Sequence, residues 1–188
     1  MEAFELNFTS EDFTASDKIH KQYESCEFIN CNFSSVNLSG VVFIDCRFVE
    51  CDLSLAKLDN AAFRDCHFKK CKMLGLHFDK CNSFLFRIST ENCTLNLSSF
   101  YGMNLTKQIF KGSTLHEVDF TSCNLSAAVF PDCDLTGAVF ESSVLEKADF
   151  TSAYNYIIDP ERNNIKKAKF SINGLPGLLM KYNIGIEQ

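Results

Sequence analysis

The chain reads as an all-β solenoid built of four-sided coils, and three observations lead there. A large apolar residue recurs at every fifth position, a small one stands two places before it, and residues twenty apart share their chemistry. Phe8, Phe13, Tyr23, Phe28, Phe33, Leu38, Phe43, Phe48, Leu53, Leu58, Phe63, Phe68, Met73 and Phe78 keep one clock, interrupted by Lys18. A second run, Leu95, Phe100, Leu105, Phe110, Leu115, Phe120, Leu125, Phe130, Leu135, Phe140, Leu145 and Phe150, alternates Leu and Phe without error. This period matches neither the roughly 3.6 residues of a helix nor the alternation of a half-buried strand. It matches a coil with five-residue sides. With four sides per turn, Leu95, Leu115 and Leu135 form one axial column and Phe100, Phe120 and Phe140 the next, at the sheet spacing of about 4.8 Å.

The bias to nineteen Phe and no Trp fits a repeated slot that offers nothing to a polar handle. The position two before the large residue holds Val36, Val41, Ala56, Ala61, Val118, Ala128, Ala138, Ala148 and Ala153, and it also holds all ten cysteines. Cys26, Cys31, Cys46, Cys51, Cys66, Cys71, Cys81, Cys93, Cys123 and Cys133 are therefore expected to be shielded, reduced thiols that pack as small apolar groups. A length of 188 residues suits one domain. Glu2, Glu5, Glu11 and Asp12 stand where a secretory signal would be basic and then apolar, and no apolar stretch is long enough to span a membrane. A cytoplasmic protein with no membrane association is expected.

Stretches such as Cys123 to Leu125 and Ala148 to Phe150 carry the pattern of a small residue, then Asp or Asn, then Leu or Phe. In this the chain resembles the pentapeptide-repeat proteins over residues 26–153, and the resemblance implies a right-handed quadrilateral parallel β-helix. Residues 1–25 read as an irregular N-terminal coil or cap, and residues 154–188 as a terminal coil, a short C-terminal α-helix and a dimerisation segment. A register slip falls at about residues 79–94. Its simplest placement keeps Ser83 and Ile88 in the lumen, inserts Glu91 and Asn92 as a bulge, and turns Phe84 and Leu85 outward. Gln108 is an inward amide that needs a backbone or water partner.

Past Phe150, Asp159 and Pro160 form a turn, and Ile165 and Phe170 return to the clock. Asn173 is placed as a helix N-cap, with Leu175, Leu178, Leu179 and Tyr182 on one helical face, although Gly174, Pro176 and Gly177 weaken that helix. Ile184, Gly185 and Ile186 suggest a short strand. The segment from Asp159 to Ile186 is similar to the C-terminal helix of Qnr-type quinolone-resistance proteins, clearest at Leu178, Leu179, Met180 and Ile184. That resemblance implies a homodimer through Leu175, Leu178, Leu179, Tyr182, Ile184 and Ile186.

Nothing points to an enzyme. His67 and His77 fall on opposite faces, and no nucleophile elbow, phosphate loop or close cysteine pair occurs. The inward thiols share the lumen with bulky Phe, so no metal and no cofactor is expected. Charge is uneven. Residues 96–153 hold seven acids, Glu117, Asp119, Asp132, Asp134, Glu141, Glu146 and Asp149, against three bases, for a net of −4, whereas residues 26–95 balance eight against eight. Scattered bases argue against direct nucleic-acid binding, and an acidic rod calls for a basic partner. Resemblance to Qnr proteins implies one: the DNA groove of DNA gyrase or topoisomerase IV, met by a DNA mimic that modulates quinolone sensitivity. The rod's roughly 30 Å of coils compare with nearly 20 charges on as much duplex, so the mimicry lies in outline more than in charge. The projecting loops of many Qnr proteins have no counterpart here, where two extra residues interrupt the coil. A structural interaction module with another partner is the alternative.

Overall fold

Inward packing at every fifth residue does produce a four-sided parallel β-solenoid. The computed structural model describes residues 2–15 and 19–187, so the break expected at Lys18 lies outside the described residues. In chain order the strands are β1 (Glu2–Phe4), β2 (Asn7–Thr9), β3 (Gln22–Glu24), β4 (Glu27–Ile29), β5 (Val42–Ile44), β6 (Arg47–Val49), β7 (Ala62–Arg64) and β8 (Cys66–Lys69). They continue as β9 (Ile88–Glu91), β10 (Ile109–Lys111), β11 (Asp149–Phe150) and β12 (Lys169–Phe170), and the helix α1 (Pro176–Leu179) follows. One side of the rod is the sheet β1-β3-β5-β7, and the next is β2-β4-β6-β8-β9-β10, with β11 pairing β12 further along. The other two sides are joined by single parallel bridges, such as Asp12 to Asn32 to Asp52 and Asn37 to Lys57. We number the sides by the inward residues of successive steps: Tyr23 on the first, Phe28 on the second, Phe33 on the third and Leu38 on the fourth. Because β1 and β2 already pair in register with β3 and β4, regular coiling starts before residue 26.

Stacked rings fill the lumen. On the second side Phe8, Phe28, Phe48 and Phe68 lie centroid to centroid at 5.0, 4.7 and 4.6 Å with planes within 10° of parallel. On the fourth side Phe100, Phe120 and Phe140 follow at 5.4 and 5.1 Å. Adjacent sides meet edge to face, as Phe28 does Phe33 at 5.4 Å and 75°. Both arrangements avoid the repulsive eclipsed sandwich, and burying each such ring stabilises the coil by about 1.5–3 kcal/mol.

The cysteine slot has a second role. Many corners close with a turn bond from residue i+3 to the inward residue, as Val36 N to Phe33 O at 3.1 Å, and Ala56 lies beneath that turn in the next coil. At other corners that bond is missing, and the amide is met from the coil below. Cys51 Sγ accepts from Cys31 N at 3.4 Å and donates to Phe28 O at 3.3 Å. Cys93 does the same for Cys71 N and Phe68 O, both at 3.4 Å. Oxygen substitutes where the slot is polar: Ser98 serves Leu76 N at 3.1 Å, Ser113 serves Cys93 N at 3.1 Å, and Asn163 serves Ser143 N at 2.9 Å. Gln108 finds the backbone partner it needs, accepting from Ile88 N at 3.3 Å. A small side chain that both donates and accepts satisfies amides that would otherwise be buried unpaired.

The register slip sits earlier than the sequence pattern suggests. Cys66 pairs with Ile88 and Phe68 with Thr90, so the offset of twenty-two is already in force at β9. Glu91 pairs regularly with Lys69, and the extra residues fall instead within the segment Asn82 to Arg87. Ser83 is exposed, not in the lumen, and Ile88 takes the slot two before the inward Thr90. Phe86 points in and meets Phe78 edge-on at 6.0 Å, which supplies the ring that a serine could not. Phe84 and Leu85 do turn outward, at 64% and 63% exposure.

Three expectations for the C-terminus also change. Ser171, not Asn173, caps the first turn, accepting from Gly174 N; Asn173 lies inside a 3-10 turn, Ile172–Gly174. The α-helix is a single turn, continued by a 3-10 turn Met180–Tyr182. Ile184 to Ile186 form no strand. The glycines that make this helix poor are what seat it: a Cβ on Gly174 would meet the Tyr156 hydroxyl at 1.8 Å, and one on Gly177 would meet the Tyr156 carbonyl at 2.1 Å. Tyr156, Ile158 and the half-buried Leu178 then close the end of the lumen, with Ile158 N bonded to Gly177 O at 3.0 Å.

Replacing Cys51 separates the two roles of the slot. Cys51→Ala is expected to lower unfolding stability by about 1–3 kcal/mol because Cys31 N loses its partner, while Cys51→Ser stays within about 1 kcal/mol of the parent in urea unfolding. Equal losses in both variants contradict the bridging role.

Candidate functional site

With its axis filled by side chains, the solenoid presents only its exterior and its two ends to other molecules. Burial pushes the Cys46, Cys123 and Cys133 thiols up to about 12 and Cys31 up to about 11, against the partial opposition of backbone hydrogen bonds. Contacts with the Cys51 and Cys93 thiols push Cys71 up as well. All ten cysteines are free, and Cys81, beside the slip, is half-buried where the other nine are buried. Among the described residues no three His, Cys, Asp or Glu side chains converge as metal ligands. No helix among them is long and apolar enough to cross a membrane.

Stacking fixes where the seven acids lie. Glu117 occupies the corner between the third and fourth sides, Asp119 and Glu141 the fourth side, Asp134 the third, and Asp132 the corner that leads into the third. These five share two adjacent sides of the rod. Glu146 and Asp149 do not join them: they fall on the first and second sides, among lysines. Two of the acids are also engaged by bases from the terminal coil, beyond the repeats. Arg162 reaches Glu141 at 2.7 Å and Lys169 reaches Asp149 at 3.3 Å. Asp134 is held by its own surroundings. Partial burial pushes its carboxyl up, but hydrogen bonds from Thr136, Asn155 and His116 outweigh this and bring it to about 2. Glu117 and Asp132 are exposed and make no ion pair among the described residues, so their charges remain available.

The second feature is apolar and lies at the C-terminal end. Leu175, Tyr182, Ile184 and Ile186 are all exposed, as are Ile172 and Met180 beside them. Leu178 and Leu179 differ, being half-buried, and Leu178 packs against the chain's own core. Lys181 anchors the segment through Asp159 and Glu161, both at 2.7 Å. An open cleft of about 790 Å³ runs between Tyr154–Ile157 and Ser171–Met180. Sequence periodicity did not reveal that cleft, because it depends on Gly174 and Gly177 lying against Tyr156.

Geometry and sequence agree with the family comparison. A model of the pentapeptide repeat region matches residues 21–83, and one of pentapeptide repeats matches residues 91–126 and 119–154. The chain belongs to the pentapeptide-repeat family. No curated protein matches its sequence. Among solved structures, a trypsin-treated variant of QnrB1, a plasmid-mediated fluoroquinolone resistance protein, is similar with a TM-score of 0.61 at 17% identity, over 97% of this chain and 99% of that one. Full-length QnrB1 gives 0.52 at 19% identity, over 98% and 100%. HetL, a pentapeptide repeat protein involved in heterocyst differentiation regulation from the cyanobacterium Nostoc sp. strain PCC 7120, gives 0.61 at 16% identity, over 93% and 88%. These likenesses show a shared fold.

Proposed function

We propose that the protein is a non-enzymatic binding rod of the cytoplasm whose acidic third and fourth sides take a basic surface of a partner protein, and that DNA gyrase or topoisomerase IV is that partner. The observation that carries this reading is the gathering of five acids, Glu117, Asp119, Asp132, Asp134 and Glu141, onto two adjacent sides of a rod with a filled axis. The end-to-end likeness to QnrB1 favours a topoisomerase. Duplex DNA is charged on every side, whereas this rod is acidic on one flank, so shape and specific contacts supply most of the affinity. A second reading, an interaction module for a different regulatory partner, is favoured by the equal likeness to HetL.

Under the first reading, micromolar protein inhibits gyrase supercoiling or restores it in the presence of a quinolone. Combined Glu117→Gln, Asp119→Asn and Asp132→Asn, which removes the charge and keeps the acceptor that Thr121 N uses on residue 119, removes the effect without changing the thermal melt. No effect of the parent protein on supercoiling removes gyrase as the partner and leaves the second reading.

The exposed apolar end is the seat of a tail-to-tail homodimer. Ile184 and Ile186 lie beyond any helix and outside the core, so Ile184→Asp with Ile186→Asp leaves the fold intact. Light scattering is expected to give a dimer for the parent and a monomer for this variant, and a dimer in both moves the interface elsewhere.

A further inference from the structure

Opposite the acidic flank the rod carries a ladder of lysines that the described residues leave largely unpaired. Lys107, Lys147 and Lys167 stand in one column on the corner between the first and second sides, with Ala127 between the first two. Lys107 N bonds to Ser126 O at 2.9 Å, Ala127 N to Glu146 O at 2.8 Å, and Lys147 N to Lys166 O at 3.0 Å. Coils separated by about 4.8 Å place the three ammonium groups along a single edge, parallel to the rod axis. Lys166 lies beside them on the first side and Lys169 on the second.

One feature sets this column apart. Its lysines share the left-handed backbone of the other corners, with φ of 61°, 60° and 59°, as do Glu50, Leu55, Leu97, Glu117 and Ser122. Elsewhere such a lysine is held by its own chain: Lys70, also left-handed, pairs with Glu50 at 3.0 Å. Among the described residues no carboxylate lies in ion-pair range of Lys107, Lys166 or Lys167, and Lys147 has Glu146 at the outer limit of 3.9 Å. Stacked ammonium groups left largely unmatched along one edge are what an external anionic partner explains.

We propose that this corner is a docking surface for an extended acidic segment of a partner protein. Its borders are aliphatic, with Ile109 on the second side and Val144 on the first both exposed. They suit apolar residues interleaved with the acids of such a segment. Single-stranded nucleic acid is a poorer fit because, among the described residues, no aromatic side chain flanks the ladder for bases to stack on. Duplex is poorer still, since Glu146 and Asp149 lie within the patch and the whole chain carries −6. This surface is diagonal to the acidic flank, so the rod can join a basic body to an acidic segment at the same time.

The test is fluorescence anisotropy of a labelled oligoglutamate peptide with the full chain at low salt. Combined Lys107→Asn, Lys147→Asn and Lys167→Asn removes the charge while suiting the left-handed backbone, so the variant melts at or above the parent temperature. It is expected to bind the peptide about tenfold more weakly, while Lys57→Asn, Lys72→Asn and Lys80→Asn, equal in charge, change binding by less than about twofold. Equal losses in the two variants, no saturable binding by the parent, or tighter binding of oligo-dT than of the peptide overturns the proposal.

Discussion

The closed lumen governs everything else in this molecule. Each five-residue step must deliver one large apolar side chain to the axis, and the coil spacing of about 4.8 Å leaves room for little between successive rings. Phe on Phe at 4.6 to 5.4 Å in columns such as Phe48 to Phe68 and Phe100 to Phe120 is the outcome. The backbone that results is stiff and square, and its outward positions are free to vary. Function therefore resides in the pattern painted on the corners and sides.

That constraint decided what could be read from the sequence. The solenoid, the axial columns and the inward cysteines follow from a period that no helix or ordinary strand shares, so they were legible residue by residue. The slip was not placed correctly, because counting repeats fixes how many residues are extra and not which ones leave. Packing chose Asn82 to Arg87, where Phe86 replaces the serine that the clock put in the lumen. The helix start was misplaced for a similar reason. Ser171 caps the turn because Gly174 must lie on Tyr156, a tertiary contact with no local signature.

Charge illustrates the same limit. A linear count of residues 96–153 finds seven acids but cannot say that two of them face lysines on the far side, or that Arg162 and Lys169 fold back to meet Glu141 and Asp149. Stacking at intervals of twenty sorts them into an acidic flank and a basic corner diagonal to it. The dual role of cysteine was equally hidden, since a slot that takes Ala, Val, Ser and Cys looks merely small. Only the missing turn bonds show why Cys51 and Cys93 serve where an aliphatic residue would leave an amide unpaired.

Inward Phe carries the stability while outward residues carry the specificity. Denaturant unfolding of Phe120→Ala beside Ser122→Ala tests this division most directly, because the two residues are near neighbours in the same coil, one fully buried and one exposed. The expected loss is about 3–5 kcal/mol for the first and about 0.5 kcal/mol or less for the second. Losses of similar size would contradict it.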